Sequence, residues 1–211
     1  MIDMHPLSIA VENGKRNDAR ALTEGLLDAG MAPLDIVEQG LVPGMSAIGE
    51  RFKSNRAFVP DMLVAAAAMK ECMKLLEPLL AKAGIKPKHD VIIGTVQGDL
   101  HDIGKNLVAM MWRGANINVI DLGTNVRPVK FVEAIRQHGV RTVGLSALLT
   151  TTMPSMADTI NAAKEAGIRG QAKIMIGGAP VTQNYADEIG ADGYAPDAAS
   201  AVDIVRELLG K

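Results

Sequence analysis

Residues 90–106 read DVIIGTVQGDLHDIGKN. The apolar run Val91–Val96 is typical of a buried parallel strand, and Ile103–Gly114 has the apolar spacing of a helix. In the loop between them, glycines flank His101, and Asp99 lies two residues before it. Such an aspartate can accept a hydrogen bond from the N–H of one imidazole nitrogen and leave the other nitrogen free for a metal. The alternative is a solvated loop histidine beside acidic residues that cap the following helix.

The same strand-then-helix pattern continues to the end of the chain. Further strands are predicted at 117–122, 142–145, 173–176 and 192–195, and helices at 129–138, 153–166, 183–189 and 198–209. Five such units in order predict an α/β domain with a doubly wound, five-stranded parallel sheet in the strand order 2-1-3-4-5. Ligands of these sheets bind at the carboxyl edge, where we expect the loops after strands one, three, four and five.

The first 85 or so residues show helical spacing instead. Asn17 or Asp18 is expected to cap the second helix, Pro33 to open the third, and Pro43 to bend it. Pro60 is expected to open a long fourth helix that ends near Gly84. Four helices with short connections predict a small helical bundle.

The composition fits two domains in one soluble protein. Of 211 residues, 48% are hydrophobic and 22% are charged. The net charge is -2 and no stripe of basic residues is visible, so the sequence gives no sign of nucleic-acid binding. The single cysteine, Cys72, excludes an internal disulfide and is expected to be buried in the bundle. We predict a helical domain at 1–86 and a sheet domain at 88–211, joined by a hinge at 87–89. Without a signal peptide or a membrane-length apolar run in this sequence, a cytoplasmic location is expected.

Two further loops carry unusual residues at the predicted carboxyl edge. After the third strand, Ser146, Thr150, Thr151 and Thr152 form a cluster of hydroxyls, more than one helix cap requires. After the fourth strand, Gly177–Pro180 begins with two glycines that allow close approach of a bulky group. Either loop alone is weak evidence, since caps and turns use these residues widely.

Together, the three loops resemble the cobalamin-binding fingerprint Asp-x-His-x-x-Gly, Ser-x-Leu, Gly-Gly. Between Gly104 and Ser146 lie 41 residues (105–145), and between Leu148 and Gly177 lie 28 (149–176), as in that family. The whole chain resembles the corrinoid proteins of methyltransferase systems and the cobalamin-binding module of methionine synthase. The N-terminal half resembles the helical domain that caps the corrin in that family.

The resemblance implies a role for each matching residue. His101 would bind the cobalt of cobalamin or a related cobamide from below in place of the cofactor's benzimidazole, with Asp99 and Thr152 completing a ligand relay. Thr152 stands where methionine synthase has a serine, so the hydroxyl is kept and a methyl group is added. The other predicted cofactor contacts are Gly98, Asp102, Ile103, Gly104, Ser146, Leu148, Thr150, Gly177, Gly178, Ala179, Tyr194, Ala195 and Asp197 below the corrin, and Phe52 and Val59 above it.

By the same resemblance, the chain is a methyl carrier that is not catalytic alone. Its implied partners are a substrate-specific methyltransferase, a second methyltransferase that uses tetrahydrofolate or coenzyme M, and a reductive activator. Binding to nucleic acid or to a membrane is not expected. The alternatives are a corrinoid-dependent sensor or regulator, the cofactor subunit of a radical mutase, and an unrelated doubly wound protein. A nucleotide-binding Rossmann domain is disfavoured because Gly94, Gly98 and Gly104 have the wrong spacing.

Overall fold

The structure, a computed structural model, describes residues 3–85, 87 and 89–210. It divides into two compact units: the described residues of Met1–Lys88 with Arg113–Asn116, and His89–Trp112 with the described residues of Ile117–Lys211. The division at 86–88 stays a prediction, because Lys86 and Lys88 lie outside the described residues. In the described part of the chain, every helix is too short or too polar to cross a membrane.

The first unit is helical, as predicted. Its helices are α1 (His5–Glu12), α2 (Arg16–Asp28), α3 (Pro33–Asp35), a π-helical turn (Ile36–Leu41), α4 (Val42–Lys53) and α5 (Val59–Lys82). Since α3, the π turn and α4 follow one another without a break, they form one continuous helical segment, and the unit contains the four expected segments.

One detail of the predicted bundle is wrong and one is untested. The second helix begins at Arg16, with Lys15 at its N-cap and no capping side chain, so neither Asn17 nor Asp18 caps it. The third segment contains a π turn that ends two residues before Pro43, and a bend at that proline stays a prediction. Cys72 is fully buried, as expected.

The second unit is the predicted α/β domain. Its strands are β1 (Asp90–Thr95), β2 (Asn118–Asp121), β3 (Thr142–Ser146), β4 (Lys173–Gly177) and β5 (Gly193–Ala195). The helices between and after them are α6 (Ile103–Gly114), α7 (Pro128–His138), α8 (Pro154–Glu165), α9 (Gln183–Ile189) and α10 (Ser200–Leu208). All strands are parallel in the order β2-β1-β3-β4-β5, which confirms the prediction.

The sheet core positions the carboxyl-edge loops. The central strands are almost wholly buried because helices cover both faces of a parallel sheet. Close packing also explains two glycines inside strands: a Cβ on Gly94 would lie 2.8 Å from the Phe131 ring, and one on Gly144 would lie 2.7 Å from Trp112. In register, Thr95 at the end of β1 pairs with Ser146 at the end of β3, and Ser146 pairs with Gly177 of β4. The loops that follow these three residues therefore start side by side.

Candidate corrinoid site

The loop after β1 holds His101 against a buried carboxylate. His101 Nδ1 lies 2.7 Å from Asp99 Oδ1, and Asp99 is fully buried. Because a carboxylate only accepts hydrogen bonds, Nδ1 carries the hydrogen in this contact. In the neutral imidazole, Nε2 then has a free lone pair, and 52% of the His101 side chain is exposed. The loop thus presents one imidazole nitrogen that can bind a metal.

The Asp99 carboxylate is held by donors from two loops. Oδ1 also accepts from the backbone N–H of His101 at 3.0 Å. Oδ2 accepts from the backbone N–H of Leu148 at 2.7 Å and from the Thr152 hydroxyl at 2.8 Å. Burial alone would raise the pKa of Asp99, but these backbone and side-chain hydrogen bonds outweigh it and hold that pKa far below its ordinary value. Asp99 is therefore a fixed anion that orients the imidazole.

The loop after β3 supplies part of the predicted set to this network. Leu148 and Thr152 contact Asp99 directly, and the Thr152 hydroxyl reaches it despite the extra methyl group of threonine. Ser146 accepts a hydrogen bond from Val96 N at 3.0 Å through its carbonyl oxygen. Thr150 is exposed, and the described contacts do not connect it to His101.

The glycines after β4 lie against neighbouring backbone. A Cβ on Gly178, whose φ is +135°, would lie 1.8 Å from the Ala147 carbonyl oxygen. A Cβ on Gly177 would lie 3.1 Å from the carbonyl oxygen of Ala195 in β5. The two glycines therefore bring the ends of β3, β4 and β5 close together, and the exposed Ala179 follows them.

Other predicted residues have partners inside the fold. The Asp102 carboxylate accepts from the Asn106 side chain at 3.0 Å in the first turn of α6. Asp197 accepts from the backbone N–H groups of Ala199 and Ser200 at 2.9 and 2.8 Å, at the start of α10. Tyr194 is half-buried in β5. The hydrogen bonds of Asp102 and Asp197 explain them as helix-start residues, and a cofactor contact for any of the three stays a prediction.

Phe52 and Val59 belong to the helical unit. Phe52 is half-buried in the last turn of α4, and Val59 is half-buried at the first residue of α5. Part of each side chain is thus available for contact outside the bundle core. Their role above the corrin stays a prediction.

Asn125, in the loop after β2, is absent from the predicted site although it touches the histidine loop. Its side-chain oxygen accepts from Gly98 N at 2.8 Å, and its backbone N–H donates to the Asp99 carbonyl oxygen at 2.9 Å. A sequence signal was available, since the loop after β2 must leave the sheet at the same edge as the others. The positive φ of Asn125, +52°, is invisible in the sequence.

The residues present fit a large, mainly apolar ring with a metal at its centre. Large apolar side chains stand exposed around His101: Leu100 is 72% exposed and Ile103 is 79% exposed, and Leu148 and Leu149 are exposed in the adjoining loop. Exposed apolar side chains on neighbouring loops are typical of a surface that a ligand or a partner covers. Gly98 and Gly104 carry no Cβ beside the histidine, so a planar group can approach the backbone.

Known proteins match both halves of the chain. A B12 binding domain model matches residues 89–203, and a second B12 binding domain model matches residues 4–77. A corrinoid protein of Desulfitobacterium hafniense is 39% identical over 97% of this chain and 96% of its own length. Dimethylamine corrinoid protein 1 of Methanosarcina acetivorans is 44% identical over 84% of each chain.

A solved structure matches the fold over nearly the full length. It is a chain of the methanol:cobalamin methyltransferase complex of Methanosarcina barkeri, which superposes with a TM-score of 0.86 at 28% identity and covers 99% of this chain and 80% of that one. The two domain matches, the near-full-length relatives and the Asp99–His101 geometry lead to one conclusion. The chain belongs to the cobamide-binding corrinoid proteins of methyltransferase systems.

Proposed function

We propose that this chain carries a methyl group between two methyltransferases. A substrate-specific methyltransferase would load the carrier, and a second methyltransferase would pass the methyl group to tetrahydrofolate or coenzyme M. When bound, the corrinoid supplies the cobalt that holds the methyl group. The observation that carries the proposal is the Asp99–His101 pair, which offers a free imidazole nitrogen on a half-exposed ring.

The residues around the pair have separate tasks in this proposal. His101 would bind the cobalt through Nε2. Asp99 keeps the proton on Nδ1 and holds the imidazole plane, and Leu148 and Thr152 fix the carboxylate in turn. Such outer partners orient a metal ligand and set its basicity.

The remaining predicted contacts would hold the rest of the cofactor. We assign Ser146, Leu148 and Thr150 to a channel for the nucleotide tail, Gly177, Gly178 and Ala179 to the benzimidazole, and Tyr194, Ala195 and Asp197 to the far end of the tail. Phe52 and Val59 would cover the upper face and exclude water. A reductive activator is expected to restore oxidised carrier.

We assign the choice of methyl donor to the partner methyltransferase. One similar protein is named for dimethylamine, and a similar structure belongs to a methanol:cobalamin methyltransferase complex. Because similar proteins carry the names of different methyl donors, donor selection is expected to depend on the methyltransferase that docks with the carrier.

Electron paramagnetic resonance tests the ligand assignment. The protein is labelled with nitrogen-15, loaded with cobalamin and reduced to the Co(II) form. We expect hyperfine coupling to one protein nitrogen, and we expect the His101→Ala variant to lose it. A spectrum of the unchanged protein without coupling to a protein nitrogen would refute the assignment.

A further inference from the structure

We propose that Asn125 is a positioning residue for the cobalt ligand. It lies in the loop after β2, 24 residues beyond His101 (101 to 125), and acts through the backbone of Gly98 and Asp99. The inference rests on the proposed role of His101 as the ligand, and it adds a third loop to the two that hold Asp99.

Asn125 makes two hydrogen bonds to the loop that carries His101. Asn125 Oδ1 accepts from Gly98 N at 2.8 Å, and Asn125 N donates to the Asp99 carbonyl oxygen at 2.9 Å. The amide oxygen must face Gly98, because a backbone N–H requires an acceptor. One residue thereby holds both the Gly98 N–H and the Asp99 carbonyl group of the histidine loop.

The backbone of Asn125 suits these two hydrogen bonds. Its φ of +52° lies in the left-handed region, which asparagine tolerates better than most residues that have a Cβ. The neighbouring residue Val126 donates to the Thr95 carbonyl oxygen at 3.0 Å, and Gly123 accepts from Thr95 N at 2.9 Å. The Asn125 loop is therefore tied to the end of β1 on both sides.

Thr95 also holds the backbone at His101 itself. The Thr95 hydroxyl donates to the His101 carbonyl oxygen at 3.0 Å. The backbone from Gly98 to His101 is thus fixed at its start by Asn125 and at its end by Thr95. A fixed backbone matters here because Asp99 must point Oδ1 at the imidazole while Oδ2 remains with Leu148.

Substitutions can separate the two properties of Asn125. Asn125→Gly removes the side-chain acceptor but keeps access to positive φ. Asn125→Asp keeps both an acceptor oxygen and tolerance of that conformation. Asn116→Gly is the matched control, because Asn116 also has positive φ, +60°, and lies two residues after the end of α6.

Two measurements report on the full-length, loaded protein. Cobalamin affinity is followed by quenching of the single tryptophan, Trp112, which is buried in the sheet domain. Ligation is followed by the nitrogen-15 hyperfine coupling of the Co(II) form. A purely structural residue would change affinity or yield without changing the ligated fraction of the bound cofactor.

We expect Asn125→Gly to weaken cobalamin binding roughly three- to tenfold, which is the effect of losing about one hydrogen bond. Part of the bound cofactor should also lose its nitrogen coupling. Asn125→Asp and Asn116→Gly should match the unchanged protein in both measurements.

Two results would overturn the proposal. One is full nitrogen coupling in Asn125→Gly. The other is a loss of coupling in Asn125→Asp relative to the unchanged protein, and this comparison can still be made if the glycine variant does not fold. Absence of coupling in the unchanged protein would instead refute the His101 assignment, so the two failures are distinguishable.

Discussion

Thr152 offers the sharpest test of the network that holds the metal ligand. Its hydroxyl has one hydrogen and two acceptors in reach, Asp99 Oδ2 at 2.8 Å and the Leu149 carbonyl oxygen at 2.9 Å. Since a hydrogen bond to a charged acceptor is the stronger one, the hydrogen goes to Asp99. Thr152→Val keeps the shape of the side chain and deletes this bond to a buried carboxylate.

The expected loss follows from the structure. A hydrogen bond to a charged group contributes about 1.5–3 kcal/mol, so Thr152→Val should lower the free energy of unfolding by about 2 kcal/mol. Thr152→Ser keeps the hydroxyl and loses one buried methyl group, which costs about 0.8 kcal/mol. The valine variant should therefore be the less stable of the two, although it preserves more apolar volume.

Thr159 provides a matched control for the loss of a hydroxyl. It is buried in α8, and its hydroxyl donates to the neutral Ser155 carbonyl oxygen at 2.8 Å. Thr159→Val should cost less than about 1 kcal/mol, because the lost bond has a neutral acceptor. Urea unfolding of the cofactor-free protein, followed by Trp112 fluorescence, measures all three variants. If Thr152→Val proves no less stable than Thr159→Val, the Asp99 bond is not the source of stability inferred here.

Four further outcomes are expected. Gly178→Ala should destabilise the protein by more than about 4 kcal/mol in urea unfolding, since its Cβ would meet the Ala147 carbonyl oxygen at 1.8 Å, whereas Gly170→Ala, with open space around it, should change stability by less than about 1 kcal/mol. Asp99 has a lowered pKa, so its stabilising effect is complete above about pH 4 and declines as the pH falls below that; acid titration of Asp99→Asn should show a flatter stability profile than the unchanged protein. Phe52→Ala should change cobalamin affinity by no more than about twofold, as expected for the loss of a minor contact. The same change should speed photolysis of the methyl-loaded protein. Equal photolysis rates would mean that Phe52 is ordinary bundle core. The methyl-loaded chain mixed with tetrahydrofolate or coenzyme M alone should retain its methyl group, and rapid loss would reveal a catalytic site in this chain.

The sheet domain was largely predictable because its signals are local. Each buried strand is a short apolar run, and each helix has its own apolar spacing, so α6 and α9 begin and end at the predicted residues. The Asp99–His101 contact was also predictable, because the two residues lie in one short loop and their chemistry is complementary.

The features missed by the sequence depend on distant contacts. The π turn packs against α1: the Ser8 hydroxyl donates to the Gly40 carbonyl oxygen at 2.8 Å, across 32 residues. A Cβ on Gly40 would lie 2.7 Å from the Leu7 side chain, so the close approach also requires glycine. Asn125 was missed for a similar reason, since its partner Gly98 is 27 residues away.

Strand register links these distant contacts to the site. Thr95 pairs with Ser146, so the loop that carries Asp99 leaves β1 beside the loop that carries Leu148 and Thr152. The bridge between Val96 and Val126 places Asn125 on the other side of the same loop. A slip of one residue between β1 and β3 would turn the side chains of one strand to the opposite face and separate Asp99 from its donors. The orientation of His101 therefore depends on the pairing of β1 with β3 and on the bridge beyond β2, and substitutions that disturb either contact should impair cobalt ligation even when His101 and Asp99 are intact.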